Sequence, residues 1–265
     1  MTAVPVPVPG TAPVTARGSR WLLRFPTRAT PAVRLLCIPG AGCTAAMFHP
    51  WTAMLPPEVA VSVVQLPGRG ARLREAPVLQ MDVLADAVVA ALREEPELPT
   101  VLFGHSLGAL IGFEVARRAL AAPGNATVVA LAVAAHKAPQ LGSADIPVEE
   151  ATADGLLALI ESLGGTPGEA LRDPEIRRML LPVLQADFEL DRNYSYAKGP
   201  ALALPLHVFG GRIDPLVTEL ELEAWRSQAG DEYRLRWFPG DHFFLTGADA
   251  PALLADLAEL LRAHS

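Results

Sequence analysis

A serine flanked by glycines is the residue whose surroundings point most clearly to chemistry. The segment Gly104-His105-Ser106-Leu107-Gly108 follows the apolar run Val101–Phe103 and precedes a helical pattern over Leu107–Leu120. Glycines at these two places permit a tight strand-to-helix turn that leaves the serine hydroxyl exposed. The motif in this context predicts that Ser106 is a nucleophile. The alternative is an ordinary strand-to-helix turn with a capping serine.

A serine hydroxyl is a weak nucleophile until a nearby base accepts its proton, and histidine is the most frequent base. His242 stands in Gly240-Asp241-His242-Phe243-Phe244, directly after the last predicted strand, and we predict that it is the base. The other histidines have different assignments: His105 in packing or hydrogen bonding, His207 inside a strand, His264 in a solvated helix, and His49 and His136 in a pocket lining for which the sequence holds no positive evidence.

The histidine in turn needs an acid that fixes its tautomer and stabilises its charged form. Asp214 lies just past the fifth predicted strand, in the segment Gly210–Val217, where such acids are found. The order serine, acid, histidine along the chain is that of the α/β-hydrolases. We predict Asp214 as the acid, with a simple loop cap as the alternative. The other aspartates considered are less well placed: Asp241 adjoins the histidine, and Asp187 and Asp191 fall in a predicted cap segment.

An oxyanion hole requires two preorganised N–H donors. The backbone N–H of Leu107, the residue after the serine, is the first candidate. The second comes from the loop Pro39-Gly40-Ala41-Gly42-Cys43, which follows the first predicted core strand and whose small residues let the backbone approach a substrate. We predict that Ala41 supplies this donor. The alternative is a plain glycine turn into a helix.

Apolar runs that end in glycine or proline alternate with helical patterns along most of the chain. Strands buried on both faces read as continuous apolar runs, and regular alternation with helices predicts an α/β fold with a mostly parallel sheet. The predicted strands are Val33–Ile38, Val61–Leu66, Val101–Phe103, Val128–Ala135, Leu206–Phe209 and Tyr233–Phe238. The predicted helices between and after them are Thr44–Leu55, Met81–Glu94, Leu107–Leu120, Glu219–Gln228 and Ala252–Ala263.

One interval interrupts this alternation. Residues 136–204 contain no strand-like run, but they contain helical segments near Thr152–Leu163 and Pro174–Tyr194. Insertions of this kind usually cover ligand sites. We therefore expect residues 136–204 to form a helical lid on an α/β-hydrolase core made of residues 21–135 and 205–265. Residues 1–20 are rich in proline and are expected to be a disordered tail.

Composition excludes several classes of protein. Of 265 residues, 51% are hydrophobic and 19% are charged, so the chain can bury a substantial core and global disorder is excluded. With 29 acidic and 22 basic residues, its net charge of −7 argues against nucleic acid as the main partner. No apolar run reaches the length of a membrane span. The two cysteines form no metal-ligand or disulfide pattern, and the first residues lack the features of a signal peptide, so we expect a cytoplasmic protein without a metal.

Taken together, the motifs resemble those of the type II thioesterases. These are free-standing α/β-hydrolases that serve polyketide synthases and nonribosomal peptide synthetases. The resemblance runs from about Trp21 to the C-terminus and rests on five segments, which are Gly40-Ala41-Gly42, Leu66-Pro67-Gly68-Arg69-Gly70-Ala71-Arg72, Gly104-His105-Ser106-Leu107-Gly108, Gly210…Asp214…Val217 and Gly240-Asp241-His242-Phe243-Phe244. Four residues depart from the family pattern and none is a triad candidate: Gly40 replaces a His, Cys43 a Gly, Leu107 a Met and Asp241 a Gly.

The place of the acid separates two kinds of thioesterase. Domains fused to synthases often carry it after the preceding strand. Here that place reads Ala134-Ala135-His136-Lys137-Ala138 and has no carboxylate. The position of Asp214 instead resembles that of the free-standing enzymes.

The resemblance implies hydrolysis of acyl groups from the phosphopantetheine arm of acyl or peptidyl carrier proteins, with no cofactor. Removal of aberrant units that block a synthase is the usual role, and release of intermediates is a variant of it. Three alternatives remain open at this point. The protein could be a carboxylesterase or lipase acting on small esters, a catalytically idle hydrolase fold that binds a partner, or an acyltransferase.

Two further sets of residues are candidates for substrate and partner contacts. Leu156, Leu159, Ile160 and Leu163 recur at helical spacing in the predicted lid and either face an acyl chain or only pack the lid onto the sheet. Arg69, Arg72 and Arg74 lie in one loop at the sheet edge where Ser106 emerges. We expect exposed Arg72 and Arg74 to contact the acidic carrier protein, and Arg69 either to share this role or to form an internal salt bridge.

Overall fold

A mostly parallel sheet of seven strands forms the centre of the protein. The computed structural model describes residues 19–121, 128–143, 152–165 and 168–265. The strands are Leu22–Arg24 (β1), Val33–Ile38 (β2), Val59–Val64 (β3), Thr100–His105 (β4), Val128–Ala134 (β5), Leu206–Gly211 (β6) and Tyr233–Phe238 (β7). They lie in the order β1-β3-β2-β4-β5-β6-β7, and β1 is antiparallel to β3 while the other described pairs are parallel.

Helices connect the strands and cover both faces of the sheet. They are Trp51–Met54 (α1), Met81–Arg93 (α2), Leu107–Ala121 (α3), Ala153–Ser162 (α4), Gly168–Arg172 (α5), Pro174–Arg192 (α6), Glu219–Glu223 (α7) and Ala250–Arg262 (α8). The predicted α/β fold with a mostly parallel sheet is therefore confirmed. In such a sheet the loops at the carboxyl ends of the strands form one edge, which is where ligands bind.

Most predicted elements are present, with differences at their ends. β2 and β7 have the predicted bounds, whereas β3 lies slightly earlier than predicted because its pairing ends at Val63 with β2 and at Val64 with β1. The predicted helix over Thr44–Leu55 is divided into a 3₁₀ turn at Ala45–Phe48 and the short α1. β1 was not predicted, since three residues give no readable pattern; its pairing with β3 alone defines it.

The sheet separates two apolar cores. β2 shows the division, since it is fully buried and its successive side chains point to opposite faces. Leu36 and Ile38 belong to the core beneath α2 and α3, while Leu35 and Cys37 belong to the core beneath α1 and α8. A sheet covered on both sides in this way is rigid, so its strand ends are firm positions for functional side chains.

The helices α4, α5 and α6 lie between β5 and β6 in the sequence and form a third apolar cluster. Thr152 caps α4 by accepting a hydrogen bond from the Gly155 N–H, and Asp173 caps α6 by accepting one from the Glu175 N–H. Leu157, Leu159, Ile160, Leu163, Leu171 and Leu184 make up the cluster. Its position in the sequence is that of the predicted lid, whose role and bounds stay a proposal. The predicted tail falls outside the described residues apart from residues 19 and 20.

Candidate active site

A sharp turn between β4 and α3 holds Ser106. The φ of this residue is 53°, in the left-handed region that a serine adopts only when its surroundings impose it. Two backbone hydrogen bonds do so: the Ser106 N–H donates to the carbonyl of Ala134 on β5 at 2.8 Å, and the Ser106 carbonyl accepts from the Ala109 N–H at 2.7 Å. The turn places the serine at the carboxyl edge of the sheet.

Close backbone contacts explain the two glycines of the motif. A Cβ atom on Gly104 would lie 2.1 Å from the carbonyl oxygen of Gly108, and a Cβ atom on Gly108 would lie 2.1 Å from that of Ile38 on β2. Both distances are far shorter than van der Waals contact. A side chain at either glycine would therefore separate α3 from β2 and β4 and displace the serine.

His242 and Asp214 come together from the loops after β7 and β6, which are neighbours in the sheet. The His242 Nδ1 atom lies 2.9 Å from Asp214 Oδ2, and both side chains are buried. The other oxygen of Asp214 accepts a hydrogen bond from the Leu216 N–H at 2.9 Å, which fixes the carboxylate. Asp241 instead accepts from the backbone N–H of Phe243. The geometry thus favours Asp214 over Asp241 as the acid.

His105 supports the loop that carries His242. Its ring is fully buried, and its Nε2 donates to the carbonyl oxygen of His242 at 2.8 Å. Burial and the nearby His242 ring lower the pKa of His105 to about 3, so the imidazole is neutral at neutral pH. This contact agrees with the packing or hydrogen-bonding role predicted for His105.

Ser106 and His242 line one small cavity together with Ala41 and Leu107. Its volume is about 30 Å³, room for about one water molecule. Leu107 begins α3, and the first N–H groups of a helix have no acceptor within the helix, so its N–H is suited to bind a developing negative charge. A larger groove of about 980 Å³, between α2, α3 and the end of α6, contains none of the predicted site residues.

Comparison with known proteins adds an independent line of evidence. A family model described as "Thioesterase domain" matches residues 33–261. The chain belongs to the thioesterase family. It is 36% identical to the gramicidin S biosynthesis protein GrsT of Aneurinibacillus migulanus over 227 residues. The aligned region covers 86% of this chain and 88% of that protein.

Solved structures narrow the comparison within the thioesterase family. The type II thioesterase BorB from the borrelidin biosynthetic cluster has a TM-score of 0.83 and 34% identity, covering 94% of this chain and 100% of that one. The RedJ thioesterase from the prodiginine pathway of Streptomyces coelicolor has a TM-score of 0.80 and 37% identity, covering 94% of this chain and 96% of that one. The predicted resemblance to type II thioesterases is confirmed.

In this thioesterase the expectation that Arg72 is exposed is wrong. Arg72 is 5% exposed, and its guanidinium lies 3.9 Å from the ring centroid of Trp21. It also donates to the Gln65 carbonyl at 2.8 Å and to the Glu75 carboxylate at 2.7 Å. Through these contacts the guanidinium of Arg72 connects the loop after β3 to the segment before β1. Arg72 is therefore not available to a carrier protein. Arg74 is exposed as expected.

Arg69 has the internal salt bridge that was one of its two predicted roles. Its guanidinium donates to both oxygens of Asp187 on α6, at 2.7 and 2.6 Å. Both side chains are buried. The sequence around either residue does not indicate this pair, because Arg69 and Asp187 are far apart in the sequence and meet only when α6 packs on the loop after β3.

A second histidine–aspartate pair borders the same cavity of the thioesterase. Ala135, with a left-handed φ of 56°, turns the chain after β5 so that His136 lines the cavity. The His136 Nε2 lies 3.4 Å from Asp191 Oδ1 on α6, and the His136 Nδ1 donates to the Lys137 carbonyl at 2.8 Å. Burial opposes a charge on this imidazole, but Asp191 and the hydrogen bond to the Lys137 carbonyl together outweigh burial and raise the pKa of His136. Sequence reasoning found no sign of this pair.

The predicted lid stripe is divided between two environments. All four side chains, Leu156, Leu159, Ile160 and Leu163, are buried. Of these, Ile160 lines a cavity of about 330 Å³ together with Gly42, Leu184 and Phe243. This cavity and the small one at Ser106 share Ala41 as a wall residue. Ile160 also belongs to the cluster of α4, α5 and α6, as do Leu159 and Leu163, which line neither cavity.

Other potential chemistry at the site is limited. Cys43 lines the cavity of about 330 Å³ beside Ile160. Burial raises the pKa of its thiol to about 12, so Cys43 remains a protonated thiol at neutral pH. Among the residues that the structure describes, no group of His, Cys, Asp and Glu side chains could hold a metal ion. No helix in that part of the chain is long and apolar enough to cross a membrane.

The first prediction concerns the ionisation of His136. Replacing Asp191 with Asn should lower the pKa of His136, because the negative charge that opposes the effect of burial is then removed. In the unmodified protein the raised pKa makes the pair stabilising below the unfolded-state pKa, and this contribution is lost as the pH rises through the folded-state pKa. Titration of the imidazole by NMR measures the change. An unaltered pKa in Asp191→Asn would contradict the pairing.

Proposed function

We propose that this type II thioesterase hydrolyses acyl groups from the phosphopantetheine arm of acyl or peptidyl carrier proteins, using Ser106, His242 and Asp214. The carrying observation is the buried His242–Asp214 pair, 2.9 Å apart, at a cavity that also contains Ser106. Relatives named for gramicidin S, borrelidin and prodiginine biosynthesis support a carrier-bound substrate. Its place in such a pathway is the removal of stalled or aberrant acyl units, in the cytoplasm.

The first half of the reaction forms an acyl-enzyme. The Ser106 Oγ attacks the thioester carbonyl while its proton moves to the Nε2 of His242. The carbonyl π electrons move to oxygen, and the resulting oxyanion accepts hydrogen bonds from the N–H groups of Ala41 and Leu107. Collapse breaks the C–S bond, and the proton on His242 passes to the pantetheine sulfur. Asp214 stabilises the imidazolium between these two steps.

The second half repeats the sequence with water as the nucleophile. Water loses a proton to His242, attacks the acyl-Ser106 ester and forms a second oxyanion in the same hole. Collapse then releases the carboxylic acid and returns the proton to the Ser106 Oγ. Apart from the substrate and one water molecule, every step uses only side chains and N–H groups of this chain, so the reaction balances without a cofactor.

We propose that residues 136–204 act as the lid over this reaction. The cavity at Ser106 has room for about one water molecule, which is too small for a thioester and its arm. Asp187, Phe188 and Asp191 of α6 form part of its wall. Substrate entry therefore requires α6 or its neighbours to move, and their return would exclude bulk water during the chemistry.

The second prediction concerns the triad. Ser106→Ala should abolish hydrolysis without unfolding the protein, and Asp214→Asn should reduce kcat about 10⁴-fold, by analogy with the serine proteases, because the imidazole then adopts the wrong tautomer. Intact-protein mass spectrometry of an acyl-carrier protein measures the loss of the acyl group, and thermal unfolding checks the fold. Full activity in Asp214→Asn would assign the acid role to another carboxylate.

The same assay separates the alternative activities. An acyl-carrier thioester and a small ester of equal chain length should differ strongly in kcat/KM, in favour of the thioester. Preference for the ester would identify an esterase, and an acyl product on an acceptor other than water would identify an acyltransferase. If Ser106 failed to react with a fluorophosphonate, the fold would be a binding protein instead.

The third prediction concerns carrier docking at Arg74. This exposed residue lies in the loop after β3, at the sheet edge that also holds Ser106. Arg74→Glu should raise KM for an acyl-carrier substrate, with the effect weaker at high salt, and should leave hydrolysis of a small acyl thioester unchanged. Arg93→Glu, at the end of α2, makes the same charge change and serves as the control. Equal losses on both substrates would mean that the loop only shapes the active site.

The fourth prediction concerns the acyl cavity beside Ile160. Ile160→Phe should reduce turnover of long acyl chains and retain that of short ones, because the larger side chain occupies part of the 330 Å³ cavity. Ile160→Ala should shift the preference towards longer chains. Measuring kcat/KM over a series of chain lengths tests both signs. A uniform loss for all chain lengths in both variants would assign Ile160 to lid packing alone.

A further inference from the structure

The turn that carries Ala41 is in direct contact with α6. The N–H of Gly42, the next residue, donates to Asp187 Oδ2 at 2.8 Å. One turn earlier on the same helix, Leu184 packs so closely that a Cβ atom on Gly42 would lie 2.5 Å from its Cδ2 atom. Gly42 also has a left-handed φ of 70°, which favours glycine. A polar and an apolar contact from one helix thus define the conformation of this turn.

Arg69 completes the contact from a third element. It binds Asp187 through two hydrogen bonds, and its Nη1 atom also lies 3.3 Å from the carbonyl oxygen of Cys43, in the same turn. The bidentate pairing of a guanidinium with a carboxylate restricts orientation as well as distance. The pair is almost fully shielded from water, since the side chains are 7% and 5% exposed. One carboxylate on α6 therefore joins the turn after β2 to the loop after β3.

The position of Arg69 is itself set by its backbone. Its carbonyl accepts the Arg72 N–H at 2.9 Å, and the Arg72 carbonyl accepts the Gly68 N–H at 3.0 Å. These bonds close a compact loop, which Arg72 attaches to Trp21. The guanidinium of Arg69 thus projects from a fixed loop, while its partner Asp187 belongs to the helix that covers the cavity.

We propose that Asp187 and Arg69 are positioning residues that make the oxyanion hole dependent on the seating of α6. Asp187 holds the N–H of the Ala41–Gly42 peptide. This contact orients the adjoining Gly40–Ala41 peptide, whose N–H is the Ala41 donor to the oxyanion. When α6 leaves this position, the turn loses its acceptor and the Ala41 N–H loses its alignment. Arg69 holds the carboxylate in the orientation that this contact needs. The inference rests on the proposed function, since it assumes that Ala41 donates to an oxyanion on Ser106.

The decisive variant removes both charges together. A single Asp187→Ala change would leave the buried Arg69 without a negatively charged partner and could unfold the protein, whereas apolar replacement of both members of a buried pair is often neutral for stability. We therefore choose Arg69→Met with Asp187→Leu. The expected loss in kcat/KM is about 10²-fold, the lower end of the effect of deleting one oxyanion donor.

Two probes separate a positioning role from a structural one. A trifluoromethyl ketone bearing the acyl chain adds to Ser106, so that the Oγ–C bond forms, the Oγ proton moves to His242 and the ketone oxygen becomes an oxyanion. A hydrolysis-inert thioether of the same chain binds without forming an oxyanion. In the double variant the affinity for the ketone should fall by the same factor as kcat/KM, and the affinity for the thioether should remain unchanged.

Glu95→Gln is the matched control. Glu95 is a buried carboxylate that pairs with Arg24 at 2.7 Å and with Arg34 at 3.7 Å, away from the site. The Glu95→Gln variant should be less stable than the unmodified protein but should bind the ketone with unchanged affinity. Equal losses on both probes in the double variant, or an unchanged affinity for the ketone, would overturn the inference.

A second variant decides the matter if the double variant does not fold. Asp187→Asn keeps an oxygen acceptor but removes the charge, and it should weaken ketone binding about fivefold, the difference between a charged and a neutral hydrogen bond. Unchanged binding would overturn the inference. The proposed function fails separately: its failure requires that the unmodified protein neither hydrolyses the thioester nor binds the ketone, or that Ser106→Ala retains hydrolysis.

Discussion

The position of Ser106 depends on backbone contacts that glycine alone allows. Gly104 and Gly108 let α3 lie against the ends of β2 and β4, with contact distances that no Cβ atom could share. The same close approach puts the N-terminus of α3 beside the turn after β2. The proposed nucleophile and oxyanion donors are therefore products of one packing constraint, and the loops after β6 and β7 need only bring the proposed base and acid to that fixed point.

The buried histidines at this edge of the sheet differ in charge state because their surroundings differ. Two buried imidazoles lie near Ser106 besides the base, and their pKa values are moved in opposite directions. Burial keeps His105 neutral, so it can hold the His242 carbonyl without adding a positive charge next to the base. His136 has Asp191 opposite it and so favours its charged form. Asp214 is the carboxylate that contacts the ring of His242, and Asp191 is the carboxylate that faces His136, so each imidazole has its own acidic partner.

Sequence patterns were sufficient where a feature is local. The turn around the glycine-flanked serine and the alternation of strands and helices could both be read from neighbouring residues. Features built from distant residues could not. The burial of Arg72 depends on Trp21 and the unpredicted β1, and the partners of Asp187 and His136 come from other elements. The sequence predicts that an arginine in a loop is exposed unless the residue that covers it can also be identified.

The contacts of α6 suit the proposed lid, which has to hold one position and also leave it. Asp187 and Asp191 lie one helical turn apart, so both carboxylates face the cavity, one towards Arg69 and the other towards His136. Buried ion pairs gain little net free energy over hydrated ions, because desolvation offsets much of their attraction. The two pairs specify one position of α6 through their geometry, and separating them costs less than exposing an apolar surface of similar area. The proposed movement of α6, which admits a substrate and then re-forms the contact with Gly42, benefits from that balance.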